Sequence, residues 1–511
     1  MASQSRNIAA SAVSGIRWNY IGGICASVCS VTIGIVLARI LGPRPFGQVI
    51  IASTVYGFLN LFVDGGFSQA LIQKQDLQPD EIRKTFTCQV AIGACTTAVV
   101  FLSAPWIARL FRDSSAVHVV QAMSMMIAIQ SLGLVSAALL RRGMRFKVVQ
   151  YAALTSYLFG YLFIGIPLAL HGAGVWSLVL AYLAQSLLNS VLLYFAARHS
   201  VVPYFAFPDR SITIFGGTIT ANNLVNWGHS NLDNIAASRL GPAALGLYGR
   251  GCNFAYQPVN TVVTGLQSVL FSSTAKVQGN RRLMHDLTLA VIAIVFGILG
   301  AAYATFAMNS ATTIVGLYGD KWVGVIPLMI PFAIAMPFYG IHCLLGPILC
   351  GLGRPELEFW PQAISCALAA IAYFTAVRFS LVSVAWALLF IMLVRFAMIA
   401  VITFRLLQIS WAEASLLLIK RTGFSAVFGA ITWCINQLLL AFHFGTGLRL
   451  GILVAFCIAL LGCVVWSAGN IVFGQHAVRF MLNYATHLPP AYVKRLRLQA
   501  GPSHTAVLTR A

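Results

Sequence analysis

Apolar residues come in runs of about twenty, parted by short polar connectors, from one end of the chain to the other, the length of a helix that crosses a bilayer. About fourteen such runs can be drawn, from about 16–38 to about 448–473, and they predict an all-α, polytopic membrane protein. The run at about 322–352 is too long for a straight crossing and holds Pro327, Pro331, Pro337 and Pro347, so a bent or tilted helix is expected there. The run at about 213–236 departs from the rest. Asn222, Asn226, His229 and Asp233 fall at i, i+4, i+7 and i+11 within it and form one polar stripe along a helix. Polar groups at membrane depth face a bundle interior or a water-filled path.

A shift of 199 residues superposes this stretch on the first run. Leu41-Gly42-Pro43 then matches Leu240-Gly241-Pro242, and Phe46-Gly47 matches Leu245-Gly246. The positions under the polar stripe become Gly23, Ser27, Ser30 and Gly34, all small. The chain therefore reads as two related six-helix halves, residues 1–208 and 209–410, an extra helix pair at 411–475, and a basic tail at 476–511.

Composition sharpens the class. With 59% hydrophobic and 9% charged residues, a soluble globular chain is excluded, since charged residues supply about a quarter of those. A net charge of +21 would suggest nucleic acid in a soluble domain, but the basic residues here sit mainly in short connectors. That pattern reports topology, and no nucleic-acid partner is expected. If the amino terminus is cytoplasmic, the tails and even-numbered connectors hold most of the 33 lysines and arginines, among them Arg141, Arg142, Arg145, Lys147, Arg281 and Arg282. Both termini are therefore expected inside. Trp106 to Val117 is expected to lie along the interface as a small amphipathic helix, and the basic tail to lie on anionic membrane lipid.

Catalytic chemistry is hard to find. There is no phosphate-binding Gly-x-x-x-x-Gly-Lys-Ser/Thr loop and no His-Glu-x-x-His, and the eleven cysteines are scattered without zinc spacing. Neither cofactor nor metal is expected. A membrane polymerase or ligase would be expected to show clustered carboxylates or a long outer loop, and the chain shows neither. It reads as a carrier, not an enzyme.

Several local patterns carry a resemblance. They are the doubled Leu-Gly-Pro-x-x-Phe/Leu-Gly, Leu140-Arg-Arg-Gly-Met-Arg-Phe-Lys147, Tyr318-Gly-Asp-Lys-Trp322 and Gly351-Leu-Gly-Arg-Pro355. In this order the chain resembles the polysaccharide-transporter (oligosaccharide flippase) branch of the multidrug/oligosaccharidyl-lipid/polysaccharide exporter superfamily. The resemblance implies a V-shaped pair of six-helix bundles plus two helices. It implies a flippase for undecaprenyl-pyrophosphate-linked oligosaccharides of exopolysaccharide or lipopolysaccharide synthesis. The setting it implies is the bacterial inner membrane, where other polysaccharide assembly proteins are expected as partners. A cation-coupled drug antiporter of the sister branch is the alternative; it should place carboxylates in its cavity, whereas intramembrane arginines here are about as numerous as acids.

The candidate substrate-binding residues are Arg17, Arg250, Arg395, Asn222, Asn226 and His229. Guanidinium groups suit phosphate through planar, paired donors. Arg17 at the entrance also has headgroup snorkelling open to it, and the asparagines helix–helix packing. Asp64 and Asp233 are the candidate ion-coupling residues. Against coupling stand helix capping for Asp64, which precedes Gly65-Gly66, and an ion pair with Arg239 or Arg250 for Asp233.

Overall fold

In a computed structural model of the chain, residues 22–23, 25–74, 76–206, 210–276, 281–354 and 356–467 are described; they are helical nearly throughout, without a strand. Arg17 and the basic tail lie outside them. Eleven of the described helices are long and apolar enough to cross a membrane.

The Leu-Gly-Pro signature is a helix-to-helix turn. Gly42, at φ 78°, ends α1 (Cys25–Leu41), and Pro43 opens α2 (Pro43–Asp64). Gly241, at φ 94°, follows α9 (Arg210–Ala237) and a 3₁₀ turn, and Pro242 opens α10 (Pro242–Lys276). A left-handed glycine costs no Cβ strain, and proline fits the first helical position because its missing N–H would be unsatisfied there anyway.

The first compact unit runs through Arg250. It holds α1, α2, α3 (Phe67–Gln73), α4 (Pro79–Leu110), α5 (Val117–Arg142), α6 (Phe146–Leu158), α7 (Ile166–Leu170), α8 (Val175–Ala197), α9 and the start of α10. Helix α5 is the hub, packing on α2, α3, α4 and α8, while α9 lies on α2 and α3. The α9 contact rests on Trp227, whose ring lies 4.9 Å from that of Phe58 and whose Nε1 a Cβ at Gly57 would approach to 3.2 Å. Two expectations are corrected here. The run drawn as one span from about 46 to 72 is two helices, α2 and α3, separated by the left-handed Gly65-Gly66. Trp106 to Leu110 is the end of α4, followed by a single 3₁₀ turn at Ser114–Ala116, because the apolar run simply extends past Pro105.

The second unit, from Gly251 onward, holds the rest of α10, α11 (Arg281–Ile294), α12 (Gly300–Met308), α13 (Ser310–Tyr318), α14 (Ile326–Gly351), α15 (Glu356–Ala376), α16 (Leu381–Leu407), α17 (Trp411–Ala441) and α18 (Thr446–Ser467). Helix α14 continues through Pro331, Pro337 and Pro347. The extra pair docks through small and polar residues. Ser425 donates to the Phe296 carbonyl at 3.1 Å, and the Asn436 side-chain amide donates to Thr312 at 2.9 Å. Such contacts let helices approach closely where apolar burial cannot drive association.

Candidate functional site

The repeat-related turns meet one another. A Cβ built on Gly47 would fall 1.7 Å from the Pro242 carbonyl oxygen, and one on Gly246 1.9 Å from that of Pro43. The two contacts are reciprocal under the 199-residue shift, and the self-equivalent pair Ile50 and Gly249 also touches: a Cβ on Gly249 would meet Ile50 Cδ1 at 2.4 Å. Only glycine allows backbones this close.

This crossing sets the position of Arg250. Its guanidinium lies over the Phe46 ring, 5.3 Å from the centroid, within cation–π range. A Cβ on Gly34 of α1 would come 2.4 Å from Arg250 Nη2, so the small position under the polar stripe is where the cation fits. Tyr157 and Tyr161 stand within electrostatic reach, with ring centroids 4.6 Å apart, and Tyr157 is hydrogen-bonded to Ser30, another of the small positions on α1. Arg250 thus heads an aromatic, hydroxyl-bearing face built by α1, α2, α6 and the turn after it.

Along α9, Asn226 is exposed, His229 is half-buried and Asp233 is buried. The Asn222 side chain lies outside the described residues. Asp233 accepts hydrogen bonds from the Tyr248 hydroxyl at 3.2 Å and the Asn234 N–H at 2.8 Å. Among the described residues it pairs with neither Arg239 nor Arg250. Tyr248 lies fully buried beside it and satisfies the carboxylate instead. Asp64 accepts from Ser68 Oγ at 2.5 Å, at the second residue of α3 and across the Gly65-Gly66 break; the N-cap of α3 itself is Gly66.

Arg395 belongs to the second unit. It is 8% exposed near the middle of α16 and surrounded by Tyr256, Tyr339, Tyr373 and Cys343. The Tyr256 and Tyr339 rings meet edge to face at 4.8 Å, and the Tyr339 hydroxyl donates to Asn260 at 3.2 Å. Arg250 and Arg395 therefore have similar company, each with tyrosines from neighbouring helices. The tyrosines were not among the sequence candidates; their signal would have been an arginine and tyrosines at apolar-run depth, but which tyrosine meets which arginine depends on helix packing. Among the described residues, no group of three or more histidine, cysteine or acidic side chains would hold a metal ion.

Comparisons with known proteins bear on this arrangement. The family model described as "Polysaccharide biosynthesis protein" matches residues 36–327, which include both glycine–proline turns and Arg250. The succinoglycan biosynthesis transport protein ExoT of Rhizobium meliloti (strain 1021) is 26% identical over 330 residues, 64% of this chain and 66% of that protein. The teichuronic acid biosynthesis protein TuaB of Bacillus subtilis (strain 168) is 24% identical over 405 residues, 75% of this chain and 80% of the relative. Among solved structures, the lipid II flippase MurJ in an inward closed conformation superposes with a TM-score of 0.72 at 13% identity, covering 89% of this chain and 99% of its own. At that identity the likeness speaks for the fold.

Proposed function

The chain belongs to the polysaccharide biosynthesis protein family, a polysaccharide-transporter branch of its superfamily, and from that membership we propose that it flips a lipid-linked oligosaccharide across the bacterial inner membrane by alternating access. The family match over more than half the chain is the observation that carries the reading. The succinoglycan biosynthesis transport named for ExoT and the teichuronic acid biosynthesis named for TuaB support the same cargo class. The chemistry of the chain agrees with an anionic headgroup. Arg250 and Arg395 are guanidinium groups at membrane depth, each beside tyrosine hydroxyls, and this set of donors suits a pyrophosphate.

In this reading Arg17, Arg250 and Arg395 contact the phosphates, while Asn222, Asn226 and His229 meet sugar hydroxyls. The polyprenyl tail stays in the bilayer, both termini are cytoplasmic, and the assembly machinery of the polysaccharide lies on either side of the step. Asp64 and Asp233 are the sequence candidates for ion coupling, but hydrogen bonds from Ser68 and Tyr248 already serve them as structural groups.

The test is transport of a fluorescent undecaprenyl-pyrophosphate oligosaccharide in vesicles reconstituted with the full chain. A charge-assisted contact is worth roughly 1.5–3 kcal/mol, so Arg250→Ala and Arg395→Ala should each slow flipping about ten- to a hundred-fold at unchanged protein level. Lys at either position should recover part of the rate, because it keeps the charge and loses the paired donors. Stable Ala variants that flip at the parent rate would remove these arginines from the cargo path.

A further inference from the structure

The segment between α8 and α9 carries a surface that the transport reading does not use. Residues 201–206 read Val-Val-Pro-Tyr-Phe-Ala, without a charge, and every one is exposed, Phe205 to 90%. Pro203 keeps the residue before it extended and the run out of any helix. The run is nevertheless fastened. His199 is buried and hydrogen-bonded to the Ser136 hydroxyl, Arg83 Nε donates to the Val202 carbonyl at 3.3 Å, and the Tyr204 N–H donates to Thr87 Oγ1 at 2.9 Å. Apolar side chains turned outward from a backbone held at several points mark a contact surface.

Depth and charge fix what covers it. Helix α8 ends at Ala197, and its Leu187, Val191 and Phe195, one face at four-residue spacing, are exposed apolar residues of a membrane-length helix. On α4 the apolar run begins just beyond Arg83 and Lys84. The strap thus lies where two such helices leave the hydrocarbon, at headgroup level, and the bilayer around those helices reaches it. The charge there is positive. Arg83 Cζ and Lys84 Nζ both lie 5.4 Å from the centroid of the Tyr204 ring. Asp80, 3.4 Å from Arg83 Nη1, offsets one of them, and among the described residues Lys84 forms no ion pair. Exposed Arg198 adds another cation where the segment starts.

We propose that this strap is a docking surface for anionic phospholipid. Val202 and Phe205 enter the boundary between headgroups and acyl chains, where an apolar side chain leaves water without leaving its polar backbone unsatisfied. Lys84 holds the lipid phosphate beside the Tyr204 ring, since Asp80 already takes part of the Arg83 charge. Arg83 positions the strap through the Val202 carbonyl and adds to the field. The surface is independent of the cargo the chain carries and of which leaflet the strap faces.

The test puts one fluorophore on Phe205→Cys in the full chain with its native cysteines replaced, reconstituted in phosphatidylcholine vesicles containing phosphatidylglycerol as the minority lipid. A nitroxide quencher near the top of the acyl chain is carried by one lipid or the other at equal mole fraction. Aqueous iodide should leave the label bright and the nitroxide should quench it, several-fold more strongly on phosphatidylglycerol than on phosphatidylcholine. Added salt should weaken that preference. Lys84→Gln should bring the two lipids close to equal. Arg83→Lys, which keeps the charge and loses the Nε bond to Val202, should retain most of the preference. A label on Val202→Cys repeats the readings from a second exposed position, so one poorly behaved label does not decide the result. Quenching by iodide would place the strap in water and overturn the proposal. Protection from iodide without quenching by either lipid would mean that protein covers it, a second copy or another chain, and overturns it too. Equal quenching by the two lipids in the parent, or a preference that survives Lys84→Gln, removes the phosphate site.

Discussion

His199, just past the end of α8, shows how far one side chain's surroundings govern its chemistry. It is buried, with Nε2 accepting from the Ser136 hydroxyl at 2.9 Å, Nδ1 on the Ser200 carbonyl at 3.1 Å, and its ring against Phe86 and Tyr194. Burial holds its pKa below the ordinary 6.5, and the Ser200 carbonyl offsets this only in part. Below about pH 6.5 the unfolded chain takes up a proton that the folded chain refuses, so this residue removes stability as pH falls toward its folded value. The unfolding midpoint should drop between about pH 7.5 and 5.5, and His199→Gln should flatten that drop. At the same scale, the sequence displayed Arg250, Arg395 and the aspartates as charges in apolar runs, which is a one-dimensional fact. It did not display Tyr248 as the partner of Asp233, because the two meet across the Gly241-Pro242 turn only once both helices have formed.

Between helices, the basic connectors prove to be clasps. Arg142 donates to the carbonyls of Leu71, at 2.8 Å, and Ile72 and Lys74, the unsatisfied C-terminal end of α3. Arg145 does the same for α8 through the Ala196 carbonyl at 2.9 Å, and Arg281 for α16 through that of Leu406. A cation at a helix C-terminus meets both orphan acceptors and the negative end of the helix dipole. Arg142→Ala should cost about 1–3 kcal/mol, with Lys recovering part. Hydrogen exchange should speed up first around residues 67–86, and no change in exchange there would refute the clasp. The charge bias of these connectors was legible in sequence as a topology signal. The clasps were not, because Arg142 and the end of α3 lie about seventy residues apart and meet only once α3 has packed on α5.

For the whole molecule, the proposed orientation predicts a labelling pattern. In a background without cysteine, single cysteines near Arg142 and Arg282 should resist an impermeant thiol reagent in intact cells, while ones near Ser310 and Phe379 should react; the reverse pattern would invert the topology. Most of the described helices were legible because membrane-length apolar runs are a strong signal, although α17 begins at Trp411, well ahead of its apolar run. The break at Gly65-Gly66 was legible as well, because paired glycines after an aspartate interrupt the apolar run, and α2 ends at Asp64.

Gly47 and Gly246 carry a further meaning. A half-length chain paired with its own copy across a two-fold axis would make their crossing with one glycine counted twice, and the reciprocal approaches to Pro242 and Pro43 are what such a homodimer would leave after fusion. A side chain at either glycine would part the same backbones, so one substitution undoes both approaches. Freedom to diverge lies one step away. Arg250 corresponds under the repeat to Ile51, which is fully buried, and Phe46, the ring beneath that arginine, corresponds to the buried Leu245. Under the 199-residue shift the crossing is glycine on both sides while the positions beside it differ, so the cation stands on one side alone.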